Sequence, residues 1–262
     1  STGLTMSFQC GILGMLIKDF GTEEQKKKYV TPLARGRFLG SFCLTEPGAG
    51  TDMMAAATTA VRDGDHYVIN GTKTFISNGP FADMYLVFCW TDRAAGRKGM
   101  SALIVPKGTP GLRPGVPFRK TGLRSSQTSE VFFRDCPVPR ENLLGDEGRG
   151  IPMAMIGLDH ARVGAAAVSV GILQAALDES IRYSKERVQF GNPISRQQAV
   201  AWMIADMATD LTAARFLTYH AAWLKDQKRP FTTESAIAKL FGSEKAMYHT
   251  TRAVQIHGGY GY

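Results

Sequence analysis

From Leu39 to about Cys136 the chain runs through short strand-like segments with no helix-length periodic stretch between them; from residue 151 onward it is helical with few breakers. This change of period constrains the fold more than any other feature. Parallel strands need a crossover connection, usually a helix, so the first section predicts an antiparallel β-barrel or sandwich of roughly 100 residues. Its expected strands include 39–45, a hairpin over 66–78 with Asn70-Gly71 as a type I′ turn, 84–91, 99–105 and 130–134. Turns are expected at Thr109-Pro110-Gly111 and Arg113-Pro114-Gly115. Ahead of this section, Leu4, Phe8, Ile12 and Leu16 carry helical spacing that Asp19-Phe20-Gly21 ends. Thr22-Glu23-Glu24-Gln25 then offers a capping box for a second helix reaching about Leu33.

The last section predicts three long helices, most of an up-down bundle. They span 151–188, Ser195 (as cap) to about Lys228, and Thr232 or Thr233 (as cap) to Ile256, joined by a loop over Phe190–Pro193 and a turn over Arg229–Phe231. An alanine face on the first, Ala165, Ala166, Ala167, Ala175 and Ala176, would permit close packing. The domains are therefore read as an α+β arrangement: 1–38, the end of an N-terminal helical domain; 39–148, a middle β domain; and 149–262, an incomplete helical bundle. A short helical pair before a β section suggests a chain that starts inside a longer helical domain.

Composition narrows the class. A hydrophobic fraction of 44% and a charged fraction of 21% are those of an ordinary globular protein. No apolar run reads as a bilayer span, and the first residues lack a basic stretch followed by a cleavage site. Cys10, Cys43, Cys89 and Cys136 lie far apart without CxxC spacing, which fits reduced thiols in a cytosol or matrix better than a disulfide frame or a metal site. The net charge of +8 admits an anionic cofactor, an acidic lipid surface or nucleic acid, and no basic block is concentrated enough to choose among them.

The stretch Phe42-Cys43-Leu44-Thr45-Glu46-Pro47-Gly48-Ala49-Gly50-Thr51-Asp52 reads, on pattern alone, equally as a binding segment or as a plain strand-turn. A mostly apolar strand is stopped by Glu-Pro, and almost bare backbone follows, flanked by the hydroxyls of Thr45 and Thr51. Pro47 removes an N–H, while Gly48 and Gly50 let a ligand approach the main chain closely. CLTEPGAGTD resembles the first signature of the acyl-CoA dehydrogenases, flavoproteins that desaturate acyl thioesters between Cα and Cβ. The order helix pair, β domain, long-helix bundle is similar to that family's layout over nearly the whole chain.

The resemblance implies FAD between the β domain and the bundle, with the acyl chain between flavin ring and helices. Phe42, Cys43, Leu44, Thr45, Gly50 and Thr51 would line one side of the ring, Thr45 at its pyrimidine edge and Thr51 shared with the thioester ligand. Phe75-Ile76-Ser77 matches a Trp-Ile-Thr triplet, an aromatic wall followed by a hydroxyl near N5. Gly122–Thr128 resembles a loop on the CoA side, although a polar turn explains it nearly as well. Asp159, His160, Ala161 and Arg162 resemble the substrate-facing helical turn; Asp159 and Arg162, three apart, share a face and can pair. Arg187 and Phe190 of RVQFG match residues that meet the FAD of a neighbouring subunit, Gln198 a further contact, and Gln255, Ile256, His257, Gly258 and Gly259 the QIxGGxGY element. These cross-subunit contacts imply a homotetramer, a dimer of dimers.

The resemblance thus implies fatty-acid β-oxidation chemistry on a short- to medium-chain, butyryl-type acyl-CoA. Electrons would pass to an electron-transferring flavoprotein, in a bacterial cytoplasm or a mitochondrial matrix. An acyl-CoA oxidase using O2, or a flavin-bearing homologue that binds DNA, are the alternatives. No carboxylate matches the family's catalytic base: one usual position lies well past QIxGGxGY, and the other is held by Ala161. Glu46 reads as a structural carboxylate, and Asp159, paired with Arg162, as a group suited to orienting a ligand. A base beyond Tyr262, in a longer protein, is the expectation.

Overall fold

The computed structural model describes residues 9–262, so the expectations for Leu4 and Phe8 lie outside the described residues. The chain divides into two compact units, one up to Leu158 and one from Asp159. In the first, a π-type turn (Gln9–Leu13) leads into α1 (Gly14–Phe20), which buries Leu16 and Ile17 and ends where expected, with Gly21 N–H donating to Ile17 O at 2.8 Å. The capping box is present: Gln25 N donates to Thr22 Oγ1 at 3.2 Å and Thr22 N to Gln25 Oε1 at 3.1 Å. The helix it opens runs through Lys26–Val30 and Thr31–Ala34. Gln25 is itself buried, and its amide donates to the carbonyls of Glu141 and Leu143.

The strands β1 (Gly40–Cys43), β2 (Thr59–Asp63), β3 (His66–Ser77), β4 (Met84–Trp90), β5 (Met100–Pro106), β6 (Leu112–Pro114) and β7 (Thr128–Pro139) form one curled sheet. β5 covers one edge of β4, while β1 and a single bridge from β2 share the other; β2 then pairs β3, β3 pairs β7 and β7 pairs β6. Most pairings are antiparallel, as expected, but β1 lies parallel to β4. The connection between them carries a hairpin and a loop in place of a helix, an arrangement that strand periodicity cannot reveal. Tyr67, Ile69, Val87, Leu103, Val131 and Phe133 fill the core with the period of two expected of strands. Every residue of β4 is buried, so both its faces are covered.

Two turn readings are corrected. Asn70-Gly71 closes no hairpin: β3 runs unbroken across it, and the tight turn is Gly64-Asp65, between the paired residues Asp63 and His66. Asn70 instead braces a bulge in β7, donating to Asp135 Oδ1 at 3.1 Å and accepting from Asp135 N at 2.8 Å. Arg113-Pro114-Gly115 is likewise no turn but part of β6 and its continuation, Gly115 N donating to Glu130 O at 2.8 Å. The turn at Thr109–Gly111 is present, closed by Leu112 N to Thr109 O at 3.1 Å.

The helices α2 (Gly150–Glu186), α3 (Gln198–Asp226) and α4 (Thr232–His257) agree with the three expected. An 18-residue stretch of α2 is long and apolar enough by composition to cross a bilayer, contrary to the sequence reading; here Leu173 and Leu177 pack with Met207, Leu211 and Ala246 in a helical core. Its alanine face is narrower than expected: Ala166 is buried, close to Gly242, whereas Ala167 and Ala175 are exposed. Neither threonine nor serine caps behave as expected. Ser195 sits in a single 3-10 turn before Gln197, and Phe231 precedes α4, leaving the Thr232 hydroxyl free for another partner. Phe190-Gly191 is a two-residue turn, both φ positive at 51° and 74°, joining β8 (Val188–Gln189) and β9 (Asn192–Pro193).

Candidate functional site

In the first unit, two of the segments singled out by sequence lie side by side. After β1, Glu46 N donates to Ala49 O at 2.9 Å and Ala49 N to Glu46 O at 3.1 Å, closing a tight Pro47-Gly48 turn. Gly50 and Thr51 follow it, exposed. Nothing lies within 4 Å of the place a Cβ would take at Gly48 or Gly50, so this backbone is open to a flat guest. Thr74 N donates to Thr45 O at 2.9 Å, which ties the segment to β3 just ahead of Phe75.

Phe75 departs from strand geometry. Its φ is +56°, in a region that aromatic residues rarely enter, and its ring is 68% exposed, tilted against Phe118 at 5.5 Å. An extra residue on β3 between Lys73 and Ile76 reverses the strand's phase, so Lys73 and Ile76 both point inward and Phe75 outward. Backbone strain at an exposed aromatic makes Phe75 a candidate ligand-facing residue. The donors, hydroxyls and open glycine backbone fit a flavin.

The contributions of the individual residues differ. The Cys43, Ile76 and Ile256 side chains are buried in the core and offer a ligand only backbone. Phe42 is half-buried against Phe88 at 4.9 Å. Ser41 Oγ donates to Ser77 O at 2.9 Å, leaving the Ser77 hydroxyl for another partner. Burial pushes the Cys43 and Cys89 thiols up to about 12 and the Cys136 thiol up to about 11, and all three are free.

Beneath this surface is a feature that sequence reading passed over. Lys73 Nζ, fully buried, donates to Glu46 Oε1 at 2.8 Å and to Leu44 O at 3.0 Å. The same carboxylate accepts from Ala57 N at 2.6 Å and Thr58 N at 3.0 Å. Burial opposes ionisation of Glu46, but the Lys73 charge and these hydrogen bonds outweigh it and hold the carboxyl below the ordinary range. The signal was present: Lys73 shares the phase of inward-facing Tyr67 and Ile69, and an inward lysine requires a partner.

In the second unit, Arg162 pairs with Asp159 as expected, and Thr232 Oγ1 donates to the other carboxylate oxygen at 2.6 Å, a partner that sequence did not indicate. His160 is buried and stacked on Phe231 at 5.7 Å. Arg187 is exposed at the end of α2 and carries no ion pair among the described residues; Phe190, on its two-residue turn, is 93% exposed. Gln198 opens α3 and is exposed. Gln255 and Gly259 are exposed, Gly258 ends α4 at φ +56°, and His257 stacks on Tyr183 at 4.5 Å. A further cluster, Asp210 with Lys245 Nζ at 2.9 Å and buried His249 Nε2 at 2.8 Å, joins α3 to α4. Burial opposes ionisation of Asp210, but those hydrogen bonds prevail and hold its carboxyl below the ordinary range. The loop Gly122–Thr128 is exposed except near Ser126, with Leu123 at φ +51°. No cluster with metal-ligand composition occurs among the described residues.

Sequence models of the N-terminal, middle and C-terminal domains of acyl-CoA dehydrogenase match residues 1–37, 41–136 and 148–262. The short-chain specific acyl-CoA dehydrogenase of Clostridium acetobutylicum is 49% identical over 262 residues, all of this chain and 69% of that protein. Among solved structures, butyryl-CoA dehydrogenase from Megasphaera elsdenii superposes with a TM-score of 0.95 at 47% identity, over 98% of this chain and 68% of that one. A chain from a study of the electron transferring flavoprotein of Acidaminococcus fermentans and flavin-based electron bifurcation gives a TM-score of 0.96 at 52% identity, over 100% of this chain and 69% of that one.

Proposed function

The chain belongs to the acyl-CoA dehydrogenase family, and from that premise we propose that it serves FAD-dependent α,β-dehydrogenation of a short- to medium-chain acyl-CoA thioester, with electrons passed to an electron-transferring flavoprotein. The observation that carries the reading is the open Gly48–Thr51 backbone tied beside the strained, outward Phe75. Bound FAD would supply the acceptor for the hydride that leaves Cβ. Thr45, Gly50 and Thr51 would hold one side of the ring, Phe75 would wall it, and the Ser77 hydroxyl and the backbone of Cys43 and Ile76 would complete the polar contacts. Asp159 orients the thioester in this reading, since Arg162 and Thr232 already engage its two oxygens.

The assembly proposed is a homotetramer in which Arg187, Phe190, Gln198, Gln255 and Gly259 reach the cofactor of a neighbouring copy. The outward faces of the bundle support it: Trp202, Phe216, Tyr219 and Trp223 on α3, and Ile237, Leu240, Met247 and Val254 on α4, are all exposed. Apolar faces of this extent mark interaction surfaces. The cellular setting proposed is fatty-acid β-oxidation in a bacterial cytoplasm or a mitochondrial matrix. Full-length protein loaded with FAD should bleach anaerobically with butyryl-CoA and reduce an electron-transferring flavoprotein. No bleaching with any saturated acyl-CoA would sink the proposal, and rapid peroxide formation in air would replace it with an oxidase.

A further inference from the structure

A buried ion pair is weak evidence for stability, because two apolar side chains of equal volume often serve as well. The Lys73–Glu46 pair therefore calls for a positional explanation, and its hydrogen bonds supply one. Glu46 opens the loop that follows β1; Ala57 and Thr58, whose amides its carboxylate accepts, close it. One side chain thus fastens both ends of residues 46–58. Lys73 ties that neck to β3 and, through Leu44 O, to the end of β1. The remaining links of the loop are the Pro47-Gly48 turn and Asp52 Oδ1 accepting from Met54 N at 3.0 Å, while its far end is also held to β4, Trp90 Nε1 donating to Ala56 O at 2.8 Å and Trp90 N to Thr58 O at 2.9 Å. A carboxylate can take two adjacent N–H groups and an ammonium at once, and charge-assisted bonds are the stronger kind; no apolar pair does this.

We propose that Lys73 and Glu46 are positioning residues, a buried pair that holds residues 44–58 in register with Phe75–Ser77 and so sets the spacing between the two segments that face the flavin. This rests on the reading of residues 42–51 and 75–77 as flavin-facing. The pair touches neither ring nor substrate; it acts through the loop neck on one side and the strained strand on the other.

The experiment compares full-length wild-type protein with Glu46→Gln, Lys73→Met and the double variant Glu46→Gln/Lys73→Met. Three quantities are read: FAD affinity, the visible circular dichroism of bound flavin, and amide hydrogen exchange at Ala57 and Thr58 in the FAD-free protein. Lys73→Met leaves a lone buried carboxylate and Glu46→Gln a lone buried ammonium, so either single variant risks misfolding; Glu46→Gln keeps the shape and an acceptor oxygen, and the double variant removes both charges. The expected result is folded Glu46→Gln and double variants whose FAD dissociation constants rise about tenfold or more. Their flavin dichroism should be altered and their Ala57 and Thr58 amides should exchange faster. Folded variants with wild-type dichroism, exchange and affinity would overturn the inference alone. Loss of fold in all three would reduce the pair to a general stabiliser and also overturn it. A wild-type protein without affinity for FAD would remove the functional reading and the inference together.

Discussion

Phe75 holds its backbone in the left-handed region inside a strand while exposing most of its ring, so it contributes strain and little burial to the fold. A non-glycine residue in that region costs about 1–2 kcal/mol. Phe75→Gly relieves that cost but adds chain entropy to the unfolded state, about 0.5–1 kcal/mol. Differential scanning calorimetry of the FAD-free protein should therefore find the variant within about 1 kcal/mol of wild type, while its affinity for FAD falls. Glu46 gives a pH prediction of definite sign. Its folded-state pKa is below the unfolded one, so its stabilisation is complete above the unfolded value and is lost as pH falls through the folded value. Denaturant titrations on the acid side should show wild-type stability falling with pH and a shallower fall in Glu46→Gln. The thiols provide a third check. With Cys43 and Cys89 pushed up to about 12 and buried, a thiol reagent at neutral pH should leave both unlabelled until the protein is denatured.

At the scale of elements, β3 carries one of the two candidate segments and ties the other through Thr74 N and Lys73 Nζ, and Gly71 shows how tightly it is held. A Cβ there would lie 2.3 Å from Thr58 Oγ1, and φ is +154°, so Gly71→Ala must displace the residue whose amide Glu46 accepts. Overpacking of this kind costs about 1–3 kcal/mol; equilibrium unfolding should register that loss, and FAD affinity should fall with it. The same strand marks the boundary of what sequence could disclose. Its apolar alternation and the capping box at Thr22 depend on neighbours in the chain, and both were legible. Asn70-Gly71 carried a turn signal that tertiary pairing overrode, because β7 supplies a partner across the whole length of β3. The phase reversal at Phe75 left no local mark, since it depends on an extra residue opposite β7. The site was legible where bare backbone and hydroxyls are consecutive, as in residues 42–52. It was not legible where Lys73 and Thr232 reach residues 27 and 73 positions away.

For the whole molecule, the question is why Arg187 and Phe190 stand where they do. An exposed guanidinium with no ion pair among the described residues, followed by a phenyl ring 93% exposed on a two-residue turn with both φ positive, serves no purpose within its own unit. The turn is costly to form at Phe190, so the ring is held out at the expense of backbone strain. Both become intelligible if a neighbouring copy presents a diphosphate and an adenine: the planar fork of arginine matches the first and the aromatic ring the second. The apolar outer faces of α3 and α4 would then be buried by the same assembly. A hydrogen bond to a charged group is worth about 1.5–3 kcal/mol, or about a 10- to 100-fold loss of FAD affinity when it is removed. Arg187→Ala in the full-length protein should therefore purify with reduced flavin content at wild-type thermal stability of the FAD-free form. Sedimentation separates the two roles: the variant should remain a tetramer, because its contact is with the cofactor and the apolar faces of the bundle are untouched. A tetramer with full flavin content would place Arg187 outside the site. A monomer that retains its flavin would show that one copy completes the site by itself, and the cross-subunit reading would fall.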